Sequence, residues 1–334
     1  MRNSRTILAV VLCASLRVQA GFVENPELPP MFKQLDVARP DGSSATVFVG
    51  DFDGSFATRK PLLIYLEGSG AMSQFVRSGK MTGYGIYGLV AHRASDRFHV
   101  ATVEKRGVPF GWRVEHIGSA VGASEEYQRH ATLEGRVAEV RLALTALLSQ
   151  PTVDPTKVVL IGHSEGADVA AVVAGRDDRV THVACLAGGG APQFFDSFVS
   201  RRKKLRASGA TAEEIAKSLG ELEQQIRTIL AAPDSIEDFW RGHPYKRWAT
   251  FAAPAAADEL VNTSAKVFVA QGSEDESVPM ESFDYLVVRL LVSGNPNVTI
   301  RRYPGRDHGF GSEDGEDGGG LMEVSEDVID WSGR

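Results

Sequence analysis

The chain has 334 residues, of which 43% are hydrophobic and 24% charged, and its net charge is −7. That length suits one large α/β domain with insertions or two small ones, and the composition excludes a fibre, a coiled coil and a generally disordered chain. The negative charge argues against nucleic acid as a partner, and beyond the N-terminus no stretch is long and apolar enough to span a bilayer.

Residues 1–20 read as a signal peptide. Arg2 and Arg5 form a positive start, residues 6–16 a short apolar run, and Val18-Gln19-Ala20 a small-residue cleavage site before Gly21. The expected protein is therefore secreted or periplasmic. Loss of the leader also removes Cys13, leaving Cys185 as the only cysteine, so no intramolecular disulfide can form. Cys185 lies in the apolar run 182–187 and reads as a small core residue.

A proline-rich lead at 25–30 reads as extended. Apolar, β-branched runs then predict strands at 46–49, 61–66, 98–103, 158–161, 182–187, 266–270 and 298–303. Between them lie helical patterns at 134–149, 165–174, 283–291 and 324–331. The first is the clearest, since Leu133, Val137, Val140, Leu144 and Leu147 recur at spacings of four and three. Strands alternating with helices predict a mainly parallel central sheet covered on both faces.

The segment 192–260 breaks the alternation. It holds two helical patterns and no good strand, and reads as a helical cap inserted into a single domain spanning 21–334. Its basic run Arg201-Arg202-Lys203-Lys204 reads as a solvated helix face. Trp240, Tyr245 and Trp248 are candidate substrate-binding residues, an apolar wall, with packing inside the cap as the plain alternative. The acidic, glycine-rich stretch 311–320 reads as a mobile surface loop.

The chemistry concentrates at Gly162-His163-Ser164-Glu165-Gly166. A serine hydroxyl is a poor nucleophile until a base takes its proton and donors stabilise the oxyanion. Here an apolar strand precedes the motif and a small-residue helix follows it. That context exposes Ser164 on a sharp turn and aims the Glu165 backbone N–H at the oxyanion, with help from the helix N-terminus.

On these residues the chain resembles the α/β-hydrolase family. Val153-Asp154-Pro155 leading into VVLIGHSEG is similar to the catalytic domains of prolyl-oligopeptidase-like and dienelactone-hydrolase-like enzymes. The resemblance implies the α/β-hydrolase fold and the chain order nucleophile, acid, histidine. The segment 272–279 is similar to the family's G-x-x-D-x-x-V-P, which implies Asp275 as the acid, with Glu274 and Glu276 as local competitors. The segment 303–310 resembles the terminal histidine loop, which implies His308 as the general base, ahead of His243. Asp307 adjoins His308, but neighbours in an extended loop point apart.

The second oxyanion donor is expected from Glu67-Gly68-Ser69-Gly70, on Ser69 or on Gly70. Glu67 stands where the family usually has histidine, and is expected to place negative charge near the mouth and disfavour anionic substrates. Neither cofactor nor metal is implied, since no His/Asp/Glu cluster has ligand spacing. The implied protein is a secreted, carboxylesterase-like serine hydrolase acting through an acyl-enzyme on a small-molecule ester or peptide-like substrate, with no stable membrane span after signal cleavage. The alternatives are a prolyl-oligopeptidase-type peptidase, whose large β-propeller has no room here, and a non-catalytic binding protein on the same scaffold.

Overall fold

The computed structural model describes residues 19–333 apart from 53, 80 and 313–318. The expected signal peptide thus lies outside the described residues except for its last two positions, and so does most of the acidic loop at 311–320. Nine strands form one sheet: β1 (Ala20–Val23), β2 (Phe32–Ala38), β3 (Ser44–Gly50), β4 (Lys60–Leu66), β5 (His99–Val103), β6 (Val153–His163), β7 (His182–Leu186), β8 (Lys266–Gly272) and β9 (Val298–Tyr303). Their spatial order is β1-β2-β3-β5-β4-β6-β7-β8-β9. The first three strands pair antiparallel, and the other six run parallel.

The helices are α1 (Ile86–Ala94), α2 (Glu125–His130), α3 (Leu133–Leu148), α4 (Glu165–Arg176), α5 (Gln193–Ala207), α6 (Ala212–Ala231), α7 (Tyr245–Thr250), α8 (Ala256–Leu260), α9 (Met280–Ser293) and α10 (Gly320–Ser332). The period of two explains why the central strands carry continuous apolar runs. Leu62, Ile64, Val158, Leu160, Val183, Cys185, Val267 and Val269 face a core layer built with α3, α4, α8 and α9. Leu63, Tyr65, Val159, Ile161, Ala184, Leu186, Phe268 and Ala270 face the other layer, with α1 and α10. Both faces are dry at the sheet's centre, so residues of both parities there are apolar. Cys185 is one of these core residues, and burial pushes its thiol up. None of the described helices is long and apolar enough to cross a membrane.

Every expected strand and helix is present, most of them longer by a few residues. The N-terminal β1 and β2, the helices α1 and α2, and a hairpin pairing Phe75–Ser78 with Met81–Tyr84 were not legible. β2 sits near the sheet edge and carries Lys33, Gln34 and Asp36 among its apolar residues, which hides it from a search for continuous runs. The lead at 25–30, expected to be extended, is a pair of turns: Leu28 N–H donates to Asn25 O (3.0 Å) and Phe32 N–H to Pro29 O (2.9 Å).

The cap is helical as expected. α6 begins with a reciprocal cap, the Glu214 N–H donating to Thr211 Oγ1 (3.2 Å) and the Thr211 N–H to Glu214 Oε2 (2.8 Å). The cap has a small core of its own, in which Phe194, Ile229 and Trp248 are buried and Ile226, Trp240 and Tyr245 pack around them.

Candidate active site

Ser164 sits between the end of β6 and the start of α4, at φ 56° and ψ −125°. A non-glycine residue enters this left-handed region at a cost of about 1–2 kcal/mol, and stays there when its surroundings leave no alternative. The Ser164 N–H donates to Leu186 O (2.9 Å), and Ser164 O accepts from the Ala167 N–H (2.9 Å), so both sides of the turn are held. The flanking glycines allow the crossing. A Cβ on Gly162 would lie 2.1 Å from Gly166 O, and one on Gly166 would lie 2.2 Å from Leu66 O.

His308 arrives on the loop after β9, and its Nε2 lies 3.0 Å from Ser164 Oγ. Its Nδ1 lies 2.8 Å from Asp275 Oδ2, on the loop after β8. Asp275 is buried and fixed from several sides. Its Oδ1 accepts from the backbone N–H groups of Ser277 and Val278 (both 2.8 Å), and its Oδ2 from Gln271 Nε2 (2.6 Å). The sequence competitors are engaged otherwise. The Asp307 carboxylate accepts from the Gly309 and Gly311 N–H groups (both 2.8 Å) and shapes the histidine loop. Glu274 accepts from Ser273 (3.0 Å). His243 lines the same cavity, ring against Trp248, but the imidazole bonded to Ser164 belongs to His308.

Burial and the neighbouring His308 push His163 down to about 4, so its ring is neutral at pH 7. Its Nε2–H donates to His308 O (2.9 Å), bracing the backbone of the histidine loop. This role was not read from the sequence, although His163 stands inside the motif itself.

The loop after β4 packs directly on the serine: a Cβ on Gly68 would lie 3.0 Å from Ser164 Cβ. Ser69 and Glu165, the residues expected to offer their N–H groups to an oxyanion, both line the cavity above Ser164. The expectation for Glu67 is corrected. Its carboxylate turns inward to Lys105 Nζ (3.0 Å) and does not line the cavity, so Glu67 places no free negative charge there. Lys105 also donates to Gly68 O and Gly70 O (both 2.6 Å), so one buried ammonium holds three groups of this loop.

A second ionic cluster lies below the elbow. Glu165 accepts from Arg136 Nη1 (2.6 Å) and from Arg247 Nε and Nη2 (2.9 and 2.6 Å). Arg136 also donates to Glu67 O (2.9 Å), and Arg247 comes from the cap helix α7. Burial alone would push the Glu165 carboxyl up, but Arg247, Arg136 and Lys105 outweigh it and hold the group below the ordinary carboxylate range. None of these three cations was singled out from the sequence. The available signal was weak: Lys105 is one of several charged residues just past an apolar strand, where parallel sheets place their ligand sites.

The cavity over Ser164 has a volume of about 720 Å³ and is lined mostly by polar and charged residues. The expected aromatic wall shrinks accordingly. Trp248 lines the cavity, whereas Trp240 and Tyr245 face the cap's core, where Tyr245 Oη accepts from Gln225 (3.0 Å). The basic run is not wholly a solvated face either. Lys203 reaches Glu281, but Arg201 and Lys204 face the cavity, one turn apart on α5.

No protein-family profile matches the chain, and no curated protein matches its sequence. Solved structures do. Acetyl xylan esterase 1 from Thermoanaerobacterium sp. is similar at a TM-score of 0.58 and 13% identity, over 94% of this chain and 88% of that one. Est1E from Butyrivibrio proteoclasticus is similar at 0.52 and 13%, over 89% and 96%. The chain has the α/β-hydrolase fold. Dipeptidyl peptidase 4 from Porphyromonas gingivalis also contains it, at a TM-score of 0.57 and 15% identity, over 90% of this chain. There this chain spans only 35% of the larger protein's length. In this α/β-hydrolase fold the antiparallel edge β1–β3 is remote from the site. Ser164, Asp275 and His308 all lie at the carboxyl ends of parallel strands, β6, β8 and β9, where an open sheet gathers its loops.

Proposed function

We propose that the protein is a serine hydrolase that cleaves carboxylic esters. The observation that carries this reading is the unbroken relay from Ser164 Oγ to His308 Nε2 (3.0 Å) and from His308 Nδ1 to Asp275 Oδ2 (2.8 Å). Asp275 keeps the proton on Nδ1, so Nε2 is free to accept the Ser164 proton as Oγ attacks the ester carbonyl. The resulting oxyanion is stabilised by the N–H groups of Ser69 and Glu165, at the N-terminus of α4. His308 then passes its proton to the departing alcohol, leaving an acyl group on Ser164. Water, deprotonated by His308, releases the acid. The fold occurs in esterases and peptidases alike, but the chain spans 88% and 96% of the two esterases against 35% of the dipeptidyl peptidase, which favours the ester. The leader at 1–20 adds export to the reading.

A fluorophosphonate probe tests the reading. The expected result is labelling at Ser164, lost in His308→Ala, together with turnover of p-nitrophenyl esters and none of X-Pro anilides. Folded protein that takes no label would overturn the hydrolase reading, and preferential anilide cleavage would turn it into a peptidase.

The Lys105 ammonium has a separate signature. Lys105→Met keeps the side chain's bulk but releases the Glu67 carboxylate and two loop carbonyls. The expected loss is on the order of 10-fold or more in kcat, with a smaller change in KM, because an oxyanion donor acts in the transition state. Steady-state kinetics at a temperature below the variant's melting point measure it. An unchanged kcat would show that the loop holds its shape without the ammonium.

A further inference from the structure

The cap side of the cavity is cationic and lacks counter-ions. α5 presents Arg201 and Lys204, and the turn after Trp240 presents Arg241. Arg201 Nη1 donates to Ser218 O (3.2 Å) on α6, and Arg241 Nη1 to Ser197 Oγ (3.2 Å) on α5. The Arg241 guanidinium also lies 4.6 Å from the Trp240 ring centroid. These contacts aim the groups without neutralising them. Among the described residues, none of the three has a carboxylate within salt-bridge distance, whereas Lys203, between Arg201 and Lys204 in the run, pairs with Glu281.

Arg241 is also held in place by its backbone. It is one of four non-glycine residues at positive φ among the described residues, at 46°, and another is Ser164. Such strain persists where the surroundings over-determine it and gathers at ligand sites. Burial pulls the Arg241 guanidinium down, and the neighbouring charge of Arg201 adds to that, as expected of two like charges facing one space.

The acids on the same cavity form no ion pair with these cations. Asp168 accepts from Gln193 Nε2 (2.7 Å), and burial pushes its carboxyl up to about 7. Burial also raises the Asp196 carboxyl. Glu276 stands exposed on the opposite loop, beyond Asp275.

We propose that Arg201, Arg241 and Lys204 form a subsite for an oxyanionic group, a carboxylate or phosphate carried by the substrate while its ester carbonyl sits at Ser164. The proposal rests on the ester-hydrolase reading and reverses the selectivity first expected from Glu67. Two guanidiniums suit this task, since each can make paired hydrogen bonds to a planar or tetrahedral oxyanion and neither loses its proton.

The test compares p-nitrophenyl hemiglutarate with p-nitrophenyl valerate, esters of similar length that differ in one terminal carboxylate. The wild type is expected to favour the anionic ester in kcat/KM. In Arg201→Gln/Arg241→Gln the ratio of the two kcat/KM values is expected to fall on the order of 30-fold. Both values come from one preparation, so a partly folded variant leaves the ratio unaffected. A wild type that favours valerate, or a ratio untouched in the double variant, overturns the subsite. Calorimetric titration of the Ser164→Ala protein with glutarate, glutaramide and inorganic phosphate gives a readout that needs no turnover. Binding of glutarate or phosphate but not glutaramide, lost on adding the two Gln substitutions, supports the subsite and tells carboxylate from phosphate. Failure to bind either anion overturns it, even where the fluorophosphonate label has upheld the hydrolase.

Discussion

Ser164→Ala is expected to lower kcat for ester hydrolysis by about 10⁴-fold or more and to leave the protein folded. The loss is large because in the proposed mechanism the serine forms the acyl intermediate, and among the described residues His308 Nε2 bonds to no other hydroxyl or thiol. The backbone bonds of the elbow, to Leu186 O and from Ala167 N, do not involve the hydroxyl, so the turn survives. Asp275→Asn is the sharper variant. It keeps the volume and the two N–H bonds at one oxygen, but brings an amide NH₂ against both Gln271 and His308, which donate to Asp275 Oδ2 in the wild type. His308 would turn to the tautomer with its proton on Nε2 and could no longer accept from Ser164, again a loss on the order of 10⁴-fold in kcat. Circular dichroism and thermal melts alongside steady-state kinetics separate this from unfolding. A variant retaining a tenth of wild-type kcat would remove Asp275 from the relay.

Glu165→Ala is expected to destabilise the fold by about 3–5 kcal/mol, because it leaves the buried guanidinium of Arg247 and the partly buried one of Arg136 without their carboxylate. Arg247 also stacks on Trp248 and Phe251, 4.4 and 4.3 Å from their ring centroids, so it cannot turn away to solvent without opening the cap. The effect carries a pH signature. The folded Glu165 carboxyl is held below its ordinary value, so its stabilisation is fully present above the unfolded carboxylate pKa, about 4.3, and is lost as pH falls from there toward the folded value. Urea unfolding of wild type and Glu165→Gln is therefore expected to show a gap that is constant between pH 7 and pH 5 and narrows below pH 4. A gap that widens on acidification would show that Glu165 is not the charge holding this cluster.

The legible part of this protein and the illegible part differ in kind. Ser164 was readable because its requirement is local: a strand, two glycines that must lack a Cβ and a helix stand within a few residues of one another. The loops holding Asp275 and His308 were readable through the resemblance, since each follows a strand with its own turn signature. The strands of the parallel half were readable because burial on both faces makes them continuously apolar. β2 was missed because an edge position lets charge in, and α1 because IYGLVAHRA shows little amphipathic contrast.

The order in which the partners of Ser164 follow came through the resemblance, whereas the sequence by itself determined the parallel layers and the elbow at Ser164. Each is a property of neighbouring residues, written in their spacing. Only the tertiary structure decided the charge of the site. Glu165 meets Arg247 across 82 positions and Glu67 is neutralised by Lys105 from a neighbouring strand's loop, while Arg201 and Arg241 are left facing the cavity. Whether a charged side chain points to solvent, to a partner or to a substrate is settled by what the fold packs against it, and that is a sum over distant residues that no local spacing records.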